Sequence, residues 1–176
     1  MWLTGADNER QNRQDHSTRT MSTHTALLTH LRSQFALDWH GIHGAAHWTR
    51  VRWNGLRLAE ATGAVVAVVE LFAFLHDARR LNDDHDPQHG QRAALLAGEL
   101  NGRYFELAPD HLALLQAACR GHGDGHLQGD PTVLTCWDAD RLDLGRVGIR
   151  PRAERLCTAA AREPDMLELA WRRSVG

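Results

Sequence analysis

Leu71-Phe72-Ala73-Phe74-Leu75-His76-Asp77 closes the most apolar run in this chain of 176 residues. From Ala64 to Phe74 every residue but Glu70 is apolar, and then an imidazole and a carboxylate arrive side by side. The segment Ala64–Asp77 is too long for an ordinary buried strand, so it reads as a helix that is apolar on all sides and therefore central. Val65, Val66, Val68 and Val69 favour a strand locally, and the length decides for a helix. A charge buried at the end of such a helix is costly unless it is paired or binds a metal. His76 and Asp77 are suitable donors for a hard-to-borderline metal ion. A lone pair of this kind is equally the end of a helix closed by a structural hydrogen bond, so its meaning depends on the rest of the chain.

Other stretches repeat the same chemistry. Upstream lies His43-Gly44-Ala45-Ala46-His47-Trp48-Thr49-Arg50-Val51. Downstream come Asp86-Pro87-Gln88-His89-Gly90, Cys119-Arg120-Gly121-His122 and Cys136-Trp137-Asp138-Ala139-Asp140-Arg141-Leu142-Asp143. The order His47, His76-Asp77, Asp140 resembles the HD superfamily of metal-dependent phosphohydrolases, over roughly residues 40–150. With His89 and His122 added, it resembles the two-metal branch of that superfamily. The resemblance implies an all-α helical bundle, with His47, His76, Asp77, His89, His122 and Asp140 as metal ligands. It further implies one or two divalent transition-metal ions, of the Fe, Mn, Zn, Ni or Co group, and hydrolysis of a small phosphate ester, commonly a nucleotide.

The composition sets the frame. A chain of this length can bury a sizeable core as one domain, and 43% hydrophobic with 24% charged residues reads as globular. The net charge of −2 gives no electrostatic footprint for nucleic acid or an anionic membrane. All 20 basic residues are arginine; genome composition is the plain explanation, and arginine also suits bidentate phosphate contacts. The 12 histidines are more informative, since imidazole is the commonest metal ligand. Three widely separated cysteines give neither a disulfide framework nor a zinc spacing, which fits a reduced cytoplasm. No apolar run has the length of a membrane span, and the N-terminus lacks the apolar core of a signal peptide.

Read in order, the chain opens on a polar tail over residues 1–22, within which Met21 offers an alternative start; residues 23–176 form the helical domain. Ala26, Leu27, Leu31 and Phe35 fall at helical spacing and predict a first amphipathic helix from Thr25 to Phe35. A second helix is expected over about 42–62, ending near Gly63, with His43, His47 and Arg50 on one stripe. Any one of these histidines could equally lie on the surface. Pro87 is expected in the first turn of the next helix, capped by Asp86, with His89 turned back toward His76 and Asp77. That helix stops around Asn101-Gly102. Pro109 opens another, which breaks in the glycine-rich Gly121-His122-Gly123-Asp124-Gly125-His126. Pro131 begins the last helix of the site, running to about Leu144, and places Asp140 and Asp143 near one face. Pro164 breaks the one or two short helices that follow.

Mixed nitrogen and oxygen ligands with open positions are what a hydrolytic metal requires. Asp77 would bridge two ions. Arg50, Arg80, Arg141 and Arg146 are the candidate phosphate contacts, with surface ion pairs as the alternative for Arg141 and Arg146. The chain departs from some nucleotidases of this superfamily, which carry a water-orienting glutamate about one turn after the His-Asp pair. Here Arg79 and Arg80 occupy that region, and Glu70 is too far upstream. Either Asp83, Asp84 or Asp143 orients the water, or the metal-bound hydroxide acts alone; Asp77 and Asp143 are the candidate catalytic carboxylates. The glycine-tyrosine-proline signature of the cyclic-dinucleotide phosphodiesterases is missing. Two other functions are compatible with the same six residues: a diiron oxygenase of the superfamily, and a non-catalytic module that binds a ligand.

Overall fold

The computed structural model describes residues 24–176; the tail expected over residues 1–22 lies outside them. Among the described residues the chain is all-α, with one isolated bridge between Asn101 and Phe105 and no strand. Helix α1 covers 24–34 and buries Leu27 and Leu31. It is followed by α2 (Ala45–Thr62), α3 (Val66–Leu75), α4 (His89–Leu100), α5 (Pro109–Gly121) and α6 (Pro131–Arg141). After two short 3-10 turns come α7 (Ala159–Arg162) and α8 (Pro164–Val175).

The apolar run does form the central helix. Val68, Val69, Leu71, Phe72, Ala73 and Leu75 of α3 are all buried, and α2, α5 and α6 pack around them. Each large side chain so buried contributes roughly 1.5–3 kcal/mol of transfer free energy. The helix is shorter than its apolar run: Val65 is its extended N-cap, and His76 with Asp77 lie in the turn that follows. Such a turn frees the two side chains from the helical ladder while their backbone stays tied, through Ala78 N–H to Leu75 O and Arg80 N–H to Asp77 O.

Two close approaches set the geometry of the bundle. Gly55 of α2 faces Val69 and Ala139, where a β-carbon would stand 2.5 Å from the Val69 side chain. Gly90 of α4 faces the last carbonyls of α5, and a β-carbon there would stand 2.6 Å from Cys119 O. The first lets α2, α3 and α6 meet; the second lets the start of α4 abut the end of α5.

Several expected boundaries move. Helix α2 begins at Ala45, not near 42, because Gly44 N-caps it against the Trp39 backbone, where a β-carbon would clash. It ends as expected, on Gly63 in the left-handed region at φ 69°. Pro87 does not start α4 and the Asp86 side chain does not cap it. That carboxylate is drawn back to Leu81 N–H and Arg92, and the helix begins at His89. Helix α6 stops at Arg141, three residues short, and continues as a 3-10 turn over Leu144–Val147. A second apolar cluster of Leu58, Leu142, Leu156, Ala161, Met166 and Ala170 anchors the C-terminal helices. Asp138 ties them down, accepting hydrogen bonds from Cys157 N–H, Thr158 N–H and Thr158 Oγ1. Among the described residues no helix is long and apolar enough to cross a membrane.

Candidate metal centre

Six side chains from five parts of the chain meet at one end of α3. His47 comes from the first turn of α2, His76 and Asp77 from the turn after α3, and His89 from the first residue of α4. His122 follows the last residue of α5, and Asp140 lies in the last turn of α6. His47 and His76 are fully buried and Asp77 nearly so.

The arrangement divides at Asp77. Its Oδ2 lies 3.6 Å from His47 Nε2 and 3.5 Å from His76 Nε2. Its Oδ1 lies 3.5 Å from His89 Nε2 and 3.6 Å from His122 Nε2. Asp140 Oδ1 completes the first group, 3.4 Å from His47 Nε2 and 3.8 Å from His76 Nε2. Within each group the imidazoles are close, at 3.0 Å for His47 to His76 and 2.7 Å for His89 to His122, measured between Nε2 atoms. One carboxylate thus serves two donor groups, one through each oxygen.

The outer nitrogens explain how the rings are aimed. His76 Nδ1 is 3.1 Å from Phe72 O, His122 Nδ1 is 2.7 Å from Cys119 O, and His89 Nδ1 meets Asp86 O. His47 Nδ1 is 2.7 Å from Asp143 Oδ2. Every outer partner is an oxygen acceptor, so each Nδ1 is the N–H, and in its neutral form each ring turns an Nε2 lone pair inward. That is the tautomer a metal-ligating histidine adopts when its other nitrogen is held by a carbonyl or carboxylate. Lone pairs facing one another at such distances repel unless a cation or a proton lies between them.

The donors fit a divalent ion by a second criterion. Asp140 Oδ1 is buried and makes no hydrogen bond, with Arg146 Nη2 standing off at 3.8 Å, which leaves a carboxylate oxygen short of a close partner. Two triads, His47 with His76 and Asp140, and His76 with Asp77 and His122, each bring their donor atoms within 4.8 Å of one another. Several His and Asp groups of this chain could therefore hold a metal ion.

Protonation points the same way. Burial, then Arg146 and His76, hold His47 well below the usual imidazole value, and burial lowers His76 despite Asp77. Burial followed by His122 lowers His89. His122 is raised, because the Asp77 carboxylate outweighs burial. Burial alone would raise both carboxyls; the surrounding histidines for Asp77, and Arg146 with the histidines for Asp140, bring each below the usual range. Ionised carboxylates and mostly neutral imidazoles are the forms that bind metal.

Other expected residues take different places. Asp143 does not face the donors. Its Oδ2 is occupied by His47 Nδ1, and Arg50 grips both of its oxygens, Nε to Oδ1 at 2.6 Å and Nη2 to Oδ2 at 3.1 Å. Arg50 is thereby committed to Asp143. Arg146 stands over the first group, with Nη2 3.8 Å from Asp140 Oδ1 and Nε bonded to Ile42 O. Arg80 stands over the second, with Nη1 3.3 Å from His89 Nε2 and 3.5 Å from Asp77 Oδ1. Arg141 does not reach the centre: it bonds His126 O and Arg155 O and lies over the Trp137 ring. His43 pairs with Asp83 at 2.7 Å and leaves its neighbour His47 to the centre. Glu70 pairs with Arg52.

Comparison of the chain with protein-family models, with curated proteins and with solved structures finds no match. What the centre can do is therefore read from its own donors. The sequence carried no signal for the Asp143–His47 and Arg50–Asp143 contacts beyond helical spacing. The Asp86 carbonyl that orients His89 is a backbone atom and leaves no trace in residue type.

Proposed function

We propose that this chain is a metal-dependent phosphohydrolase of the HD type, acting on a small phosphate ester, with nucleotides the first class to test. The observation that carries this reading is the division of the Asp77 carboxylate between His47/His76 on one oxygen and His89/His122 on the other. His47, His76, Asp77 and Asp140 would hold one divalent ion of the Fe, Mn, Zn, Ni or Co group, and Asp77, His89 and His122 a second. Such ions, when bound, supply Lewis acidity toward a phosphoryl oxygen and a nucleophilic water near neutral pH.

The chain's own residues do the rest. Arg146 and Arg80 stand at opposite ends of the donor set and suit non-bridging phosphoryl oxygens, one guanidinium at each end. Asp143, with both oxygens engaged, fixes the tautomer and orientation of His47 and acts through it; it is not the group that orients water. The buried walls of Phe72, His47, His76 and His122 keep bulk water from that side and strengthen the charge interactions within. Two guanidiniums directed at the centre favour an anionic substrate, such as a phosphate ester.

The test uses protein purified without chelators or a nickel column. Its metal content is measured, together with phosphate release from p-nitrophenyl phosphate and a panel of nucleotides. Wild type is expected to hold metal and release phosphate, and Asp77→Ala to lose both. Metal-replete wild type that hydrolyses none of these esters would overturn the assignment, and oxygen consumption by the same sample would replace it with the oxygenase.

A further inference from the structure

Arg80 has more in its reach than a substrate. Its Nη1 is 3.3 Å from His89 Nε2, the nitrogen whose lone pair faces the second donor group, and 3.5 Å from Asp77 Oδ1, the oxygen shared by that group. Two of the three donors assigned to the second ion are thus already in contact with a guanidinium. The side chain is buried, and loop carbonyls set its position, with Nη2 2.8 Å from Asp84 O and Nε 3.3 Å from Asn82 O. The first group has no comparable occupant, since Arg146 contacts Asp140 alone among its donors, at 3.8 Å.

We infer that Arg80 is a built-in competitor for the second ion: its guanidinium and a divalent cation contend for His89 Nε2 and Asp77 Oδ1. This inference rests on the two-ion reading above. His89 Nε2 has a single lone pair, which cannot accept from an arginine N–H and coordinate a cation at once, so at that nitrogen occupancy by one excludes the other; at Asp77 Oδ1 the two cations repel. The second ion must displace Nη1 to bind. Because the guanidinium is a rigid plane, that displacement also costs it Asn82 O or Asp84 O, and the group so released is free to meet an anion at the mouth of the centre. Arg80 accordingly makes the second site the weaker one and couples its filling to the release of an anion-binding group. The first site, built from the same Asp77 but without such a competitor, keeps its affinity.

The experiment is a Mn(II) titration of metal-free wild type, Arg80→Gln and Arg80→Lys, followed by calorimetry and by electron paramagnetic resonance of the unbound ion. His89→Ala serves as the reference for the first site alone. Arg80→Gln is expected to bind the second ion about tenfold more tightly, the effect of losing one charged competitor, with the first ion changed by less than about threefold. Arg80→Lys keeps a cation that the loop carbonyls can hold but has no second nitrogen to reach His89. It too should tighten the second ion, which separates local competition from a general charge effect, and it carries the test if Arg80→Gln does not fold. A second ion bound no more tightly, or more weakly, in a folded variant overturns the role of Arg80 while leaving the two-ion reading intact. Wild type that saturates at one ion, with His89→Ala unchanged, overturns both.

Discussion

Asp143 Oδ2 lies 2.7 Å from His47 Nδ1, joining residues 96 positions apart in the sequence. The contact is buried and Arg50 locks it from the far side. His47 is thus held by a charged acceptor, whereas His76, His89 and His122 are held by backbone carbonyls. A carboxylate raises the basicity of the ring it holds more than a carbonyl does. Asp143→Asn, which keeps an acceptor but removes the charge, is expected to lower first-ion affinity by about 10–100-fold and to leave the second nearly unchanged. Equal weakening at both sites in a metal titration would refute this division.

In the two-ion reading His89 and His122 belong to the second donor group, although the His122 donor atom also lies within 4.8 Å of those of His76 and Asp77. Replacing either by alanine is expected to lower metal content toward one ion per chain and abolish the proposed phosphatase activity, with far-UV circular dichroism unchanged. Wild type that saturates at one ion, with both variants identical to it, would mean that the two histidines contact substrate around a single ion.

How much of this was legible beforehand depended on what carried the signal. The central helix could be read because its run, Ala64 to Asp77, is too long for an ordinary buried strand. Both ends of α5 and the start of α8 followed from Pro109, the Gly121 break and Pro164, residues whose backbone chemistry is local. The donors His47, His76, Asp77, His89, His122 and Asp140 stood out by type and order, and the structure brings them together. The parts that could not be read are tertiary. Arg50, Arg80, Arg141 and Arg146 look alike in sequence; the partners each finds, Asp143, His89, His126 O and Asp140, come from segments brought together only by folding. The start of α4 departs from the expected one for the same reason, since Asp86 is claimed by Arg92 and Leu81 N–H instead of capping its own helix.

Gly90 tests how finely the second donor group is placed. A β-carbon there would stand 2.6 Å from Cys119 O and 2.8 Å from Arg120 O, both backbone atoms that cannot rotate aside. Gly90→Ala must therefore spread α4 from α5, and with them His89 from His122, whose Nε2 atoms are 2.7 Å apart. The substitution is expected to cost about 1–3 kcal/mol in stability, as overpacking does, and to remove the second ion before the first. A variant that retains both ions with wild-type affinity would show that the close approach of the two helices is incidental to the centre.

Asp86 links the centre's support to pH. Its carboxylate accepts from Leu81 N–H at 2.9 Å and pairs with Arg92, while its backbone oxygen receives His89 Nδ1. Burial would raise this carboxyl, but Arg92 and Leu81 N–H outweigh it and hold it below its ordinary value of 3.8. A carboxyl depressed in the folded state adds stability that is fully present above the unfolded value and is lost as pH falls through the folded one. Asp86→Asn, which cannot form the charged pair, is expected to be less stable than wild type by about 1–2 kcal/mol near neutrality. Urea unfolding of the two proteins as a function of pH measures the gap. It should hold steady from pH 7 to about 5 and close progressively below about 4, as wild type alone gives up its charged pair. A gap that widens in acid, or one that persists undiminished to about pH 2, would show that the Asp86 charge is not what steadies this turn.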